Sequence, residues 1–153
     1  MSSLEQVAEF HLTFNHPIAT RPQIPDSATA AFRIAFMREE LNGLEKAIKD
    51  GDIVEMADGF CDLQYVLNGF ILNAGMQDYM DDMNDEVHRS NMSKACTDID
   101  DAVATANEHA ETWGDIDIEE IGEYFVVKRQ GDGKVVKAIT YSKPDLKSIL
   151  ELP

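Results

Sequence analysis

Apolar residues recur at steps of three and four along most of this chain, and the pattern changes near residue 120, which predicts a mainly α protein with a small C-terminal β-hairpin. Leu4, Val7, Ala8, His11, Leu12 and Phe14 form the first stripe, behind the capping hydroxyls of Ser2 and Ser3. This helix should end near Asn15. Pro17, Pro22 and Pro25 then exclude a helix from His16 to Pro25. Asp26 or Ser27 can cap a second helix from Ala28 to Lys49, whose stripe is Phe32, Ala35, Phe36, Leu41, Leu44 and Ile48.

Gly51 ends the second helix, and Asp52 with Glu55 forms a start signal for a third. The third runs to Gly75 through Ile53, Ala57, Phe60, Leu63, Tyr65, Leu67, Phe70 and Leu72. Apolar residues go most of the way round it, as in the central member of a bundle. A fourth helix is expected from Gln77 to about Met92, and a fifth from Asp98 to Trp113, closed by Gly114. Tyr124–Arg129 and Lys134–Ile139, joined by Gly131-Asp132-Gly133, read as the two strands of the hairpin. Pro144-Asp145 starts a short terminal helix ending at Leu150. The expected organisation is one domain over 1–153, with a helical insertion at 95–122 and the hairpin at 123–140.

At 153 residues the chain can bury a core without disulfides or a structural metal. Thirteen Lys and Arg against 29 Asp and Glu leave a net charge of −16, which argues against a nucleic acid polymer or an anionic membrane as partner. A small anion can still be held when a divalent cation screens it. The N-terminus lacks the basic start and apolar stretch of a secretory signal, so the cytoplasm is the expected compartment. Cys61 and Cys96 have no metal or redox spacing and read as reduced, structural thiols.

Four carboxylates stand out: Glu39 and Glu40 late in the second helix, Glu55 and Asp58 early in the third. At ~100° per residue, Glu55 and Asp58 lie about 60° apart, and Asp62 lies about 20° from Glu55. The short turn at Gly51 makes the two helices antiparallel neighbours, so Glu39 and Glu40 can come opposite Glu55 and Asp58. Acids held together on apolar helices repel one another unless protonated or neutralised, and oxygen-only donors favour Mg²⁺ or Mn²⁺. Each residue also has a plainer explanation. Glu55 fits a capping box with Asp52, Asp58 and Asp62 fit a solvated stripe, and Glu39 and Glu40 fit an exposed helical face. In His88-Arg89-Ser90-Asn91-Met92-Ser93-Lys94, the donors either neutralise a helix C-terminus or, through Asn91 and Lys94, grip phosphate oxygens. The acidic runs lack the ligand spacing of an EF-hand, and Gly131–Lys134 lacks the remaining residues of a P-loop.

Glu39-Glu40-Leu41, then Glu55-Met56-Ala57-Asp58-Gly59-Phe60-Cys61-Asp62 with Tyr65-Val66, then Val87 to Lys94, resemble in order and spacing the all-α nucleoside triphosphate pyrophosphohydrolases. That superfamily includes MazG-like enzymes, dimeric dUTPases and phosphoribosyl-ATP pyrophosphohydrolase. Asp132-Gly133-Lys134-Val135-Val136-Lys137 and Pro144-Asp145-Leu146 also resemble the tail of its phosphoribosyl-ATP pyrophosphohydrolase-like branch.

The resemblance implies an antiparallel helical bundle that binds Mg²⁺ or Mn²⁺ through E-E-x-x-E on one helix and E-x-x-D on the next. It implies hydrolysis of a nucleoside triphosphate to the monophosphate and pyrophosphate, in a homodimer or homotetramer. Carried onto this chain, the ligands and catalytic acids are Glu39, Glu40, Glu55 and Asp58, with Asp62 as a further ligand or orienting group. Asn91 and Lys94 would hold phosphate, and Tyr65 or Phe14 would meet the base. The third glutamate of E-E-x-x-E falls at Gly43, and Glu45 lies about 140° round the helix from Glu40, so the number of bound ions stays open. Hydrolysis of phosphoribosyl-ATP and a non-catalytic nucleotide-binding module are the alternatives.

Overall fold

In a computed structural model, which describes residues 1–152, the chain forms two compact units, Met1–Met80 and Asp81 onward. The first unit is three helices: α1 (Ser3–Thr13), α2 (Ser27–Asp50) and α3 (Ile53–Ala74). The expected caps set their ends. Ser2 and Glu5 form a reciprocal capping box on α1, and the Asp26 carboxylate accepts from the backbone of Ala28 and Thr29 at the start of α2.

The two-residue link Gly51-Asp52 folds α3 back along α2. Asp52 caps α3 by accepting from Val54 and Glu55, but the reciprocal half of a capping box is missing. The Asp52 N–H is already donated to the Ala47 carbonyl at 3.0 Å, so the Glu55 side chain is not needed there. Further along the hairpin, a Cβ at Gly59 would stand 3.2 Å from Cβ of Leu44 and 3.4 Å from its Cα. The missing side chain therefore lets the helices approach closely one residue beyond Asp58.

α3 packs against both α1 and α2, yet Ile53, Val54, Phe60 and Leu67 stay exposed, so the apolar girdle read from the sequence is covered on only part of its circumference. Val7, Leu44, Ala47 and Leu72 are buried in this unit together with four polar residues, His11, Arg33, Asn68 and Asn73. Three of the four make one web. Arg33 donates from Nε to Asn73 Oδ1 (2.6 Å) and from Nη2 to His11 Nε2 (3.0 Å). The Pro17 carbonyl accepts from His11 Nδ1 (3.0 Å) and Asn73 Nδ2 (2.8 Å). The Arg33 bond leaves the imidazole proton on Nδ1, and burial holds that ring neutral by pushing its pKa down. Pro17 lies in the proline-rich loop, so the web ties this loop to all three helices.

A single 3₁₀ turn, Gln77–Tyr79, precedes α4 (Met80–Met92). The second unit continues with α5 (Ile99–Trp113), strands β1 (Ile116–Ile121) and β2 (Tyr124–Arg129), and a one-turn α6 (Leu146–Ile149). The hairpin therefore differs from its expected place. β2 is as predicted, but its partner is 116–121, inside the stretch expected to be helical, in register Ile116↔Arg129 to Ile121↔Tyr124. Gly122, at φ 61°, makes the tight turn between them. Residues 134–139, expected to be the second strand, contribute one bridge, Lys128↔Val135, with Val136 N–H donating to Val127. Cys96, Ala102, Val127, Val136 and Ala138 form the core here. Cys96 is thus a packed thiol as expected, while Cys61 is exposed; both are unpaired. No helix among the described residues is long and apolar enough to cross a membrane.

Candidate active site

The close packing of Leu44 against Gly59 sets the register that brings the acids of α2 and α3 to one face. Running antiparallel, Glu40 lies one turn before Leu44, and Asp62 lies just under one turn beyond Gly59. Glu40 is half-buried and its pKa is raised, first by desolvation and then by the negative charges of Asp62, Glu39 and Asp58. Two acids of α3 and two of α2 therefore share one electrostatic field. Glu39, Asp58 and Asp62 are exposed. Among the described residues none of the four acids has a hydrogen-bond donor or a basic side chain as partner.

Glu55 stands nearer the link between the helices. There it contributes, after Asp50 and Asp52, to the field that raises the Lys46 amine. Neither the capping role nor any hydrogen bond among the described residues claims its carboxylate. The side chains do not close into a finished cage: among the described residues no three His, Cys, Asp or Glu groups are arranged to hold an ion. The donor chemistry nonetheless suits a hard cation, since every group on the face offers carboxylate oxygen. A side chain at Gly43, where the third glutamate of the motif is missing, would project into open space.

Tyr65 lies on the α1 side of α3, edge-on to Phe10 at 5.7 Å. With Phe60, Gln64 and Asn68 it lines a cavity of about 300 Å³ whose lining is mainly apolar. Phe14 packs on Phe10 at 4.4 Å. Asn91 and Lys94 belong to the second unit, where Lys94 Nζ donates to Asn91 Oδ1 at 2.7 Å.

The family model described as phosphoribosyl-ATP pyrophosphohydrolase matches residues 7–91, more than half of the chain. The chain belongs to the phosphoribosyl-ATP pyrophosphohydrolase family. That family is a member of the all-α NTP pyrophosphohydrolase superfamily, as the motif order implied, and membership implies pyrophosphohydrolase activity on a nucleotide-type substrate. The match covers α1 from Val7 onward, all of α2 and α3, and α4 as far as Asn91, and so includes all five acids of the α2–α3 face. Lys94 and the residues after it lie outside the match. No curated protein matches the chain.

Sequence reasoning did not reveal the His11–Arg33–Asn73 web. Its members are far apart in sequence, and an arginine within a helix is ordinarily read as solvent-exposed. The one usable signal was His11 on the apolar stripe of α1, a placement that asks for a buried partner.

Proposed function

We propose that this protein is a divalent-metal-dependent nucleotide pyrophosphohydrolase that cleaves the α–β anhydride of a triphosphate to give a monophosphate and pyrophosphate. The observation that carries the reading is that Glu39, Glu40, Asp58 and Asp62 share one electrostatic field with no cationic partner among the described residues, in a chain whose family acts on such substrates. Such crowding has a cost in a ligand-free protein and is relieved by a cation.

Glu39 and Glu40 from α2, with Glu55, Asp58 and Asp62 from α3, are the groups that would hold Mg²⁺ or Mn²⁺. When bound, the ion supplies Lewis acidity toward phosphate oxygens and lowers the pKa of water. Tyr65, in the same unit as these acids, would meet the base.

The family match favours phosphoribosyl-ATP as substrate over a free nucleoside triphosphate, and the two differ in whether a second ribose-phosphate must be accommodated. Leu41, Ile48, Ile53, Val54 and Phe60 lie exposed on α2 and α3, which supports pairing of two copies as a homodimer. Pyrophosphate release, measured with Mg²⁺ or Mn²⁺ over phosphoribosyl-ATP and a panel of ribo- and deoxyribonucleoside triphosphates, tests the reading. Release from at least one compound that is lost in Asp58→Asn supports it. Absence of release from all of them would leave only the non-catalytic binding module.

A further inference from the structure

The chain carries only thirteen Lys and Arg against 29 acids, yet four of the thirteen line one cavity of about 420 Å³ in the second unit. Lys94, Arg129, Lys134 and Lys137 supply its charge, His109 and Trp113 its rings, and no lining residue is acidic. All of these residues lie beyond the family-matched stretch.

The cations differ in how they are satisfied. Arg129 forks onto Asp132 and lies over the Trp113 ring, 4.4 Å from its centroid, so it is neutralised and fixes the indole. The three lysines make no ion pair among the described residues, and the nearest carboxylate influence is that of Asp132, held by Arg129, on Lys134. Lys94 donates to the neutral Asn91 amide, Lys137 lies 4.7 Å over the Tyr141 ring, and Lys134 makes no ion pair. Lys94 and Lys137, with Lys143, also act on the phenol of Tyr141, whose pKa is lowered first by the Ser90 hydroxyl and then by these charges. The floor is rigid, because Val136 is buried and bonded to β2 and His109 Nε2 donates to the Lys137 carbonyl at 2.9 Å.

In so acidic a chain, ammonium groups spread at random would find carboxylates. Three that converge unpaired on a concavity of small-molecule size mark a place for concentrated negative charge. A single carboxylate would leave most of that field uncompensated, and a nucleic acid polymer would meet the acidic surroundings. We infer that this pocket of the second unit binds a pyrophosphoryl group, either as free pyrophosphate or as the phosphate chain of a nucleotide whose base lies against Trp113.

Trp113 is the only tryptophan, so its fluorescence reports on the pocket directly. The protein is titrated with pyrophosphate, ATP, AMP and orthophosphate in EDTA, where metal-dependent hydrolysis is silent, and calorimetry follows the same titrations to catch binding that leaves the indole unchanged. Saturable binding of pyrophosphate and ATP is expected, at least tenfold tighter than orthophosphate and weakened at least tenfold in the double variant Lys134→Ala/Lys137→Ala. Equal affinity for pyrophosphate and ATP identifies the free anion as sufficient, and a clear preference for ATP identifies the nucleotide. No saturable binding of either, or equal binding by the double variant, would overturn the inference. Neither result touches the carboxylate face, because pyrophosphate release with metal is measured separately.

Discussion

The two ends of the α2–α3 hairpin treat polar groups in opposite ways. Toward the start of α2 and the end of α3, Arg33 and Asn73 are buried and are tied to His11 and the Pro17 carbonyl by four hydrogen bonds. Nearer the link, Glu39, Glu40, Asp58 and Asp62 share one electrostatic field and have no partner among the described residues. A satisfied buried web holds helices together, whereas unpaired like charges weaken the fold that carries them. The difference separates the part of this hairpin that serves structure from the part proposed to hold a cation.

Substitutions at the two ends should therefore fail in different ways. Glu40→Gln or Asp58→Asn should lower metal-dependent pyrophosphate release at least ~100-fold, about 2.7 kcal/mol of barrier, while the melting temperature holds or rises. A fall in both would move these acids to the structural side. Arg33→Ala should do the reverse. It strands Asn73 Oδ1 and His11 Nε2 in a buried site, for a loss of about 2–4 kcal/mol in denaturant unfolding, with specific activity of the folded fraction unchanged.

The web also has a pH signature. Burial, with the nearby Arg33 charge, keeps His11 below the 6.5 of a free imidazole, although the Pro17 carbonyl opposes the shift. The unfolded chain thus takes up the proton first. The stability from a neutral His11 is complete above about pH 6.5 and is lost as pH falls toward the lower folded value, with a slope of at most about 1.4 kcal/mol per pH unit. Melting curves between pH 8 and 5 should show this slope in the native chain and not in His11→Phe. The smallest effect is expected at Gly43, where a side chain meets open space. Gly43→Ala should raise helix stability by roughly 0.5–1 kcal/mol. Gly43→Glu should tighten Mn²⁺ several-fold by restoring a donor to the acidic end.

The sequence carried the helical architecture well, because the helix ends are written in local chemistry. Asp26, Asp52, Gly51 and Gly75 are caps in the structure as their types imply. β1 was hidden because five of the six residues of Ile116-Asp117-Ile118-Glu119-Glu120-Ile121 are exposed and three are acidic, so it reads as a charged connection rather than a half-buried strand. Residues 134–139 carry a stronger apolar signal, yet they bury Val136 and Ala138 under α5 and β2 instead of forming a full ladder. At the acidic face, the residues and their shared side were legible from helical spacing, whereas the position of Glu55 beside Lys46 depends on the register set at Gly59 and Leu44. The web and the lysine pocket join residues distant in sequence and left no periodic trace.

The claim that the unpaired acids await a divalent cation is tested most directly by Mn²⁺ binding, followed by the loss of the free-ion electron paramagnetic resonance signal. The native chain should bind Mn²⁺ saturably, with affinity reduced at least tenfold in Glu40→Gln and in Asp58→Asn and unchanged in Arg33→Ala. Equal Mn²⁺ binding by the native chain and both carboxylate variants, or none by any of them, would contradict it.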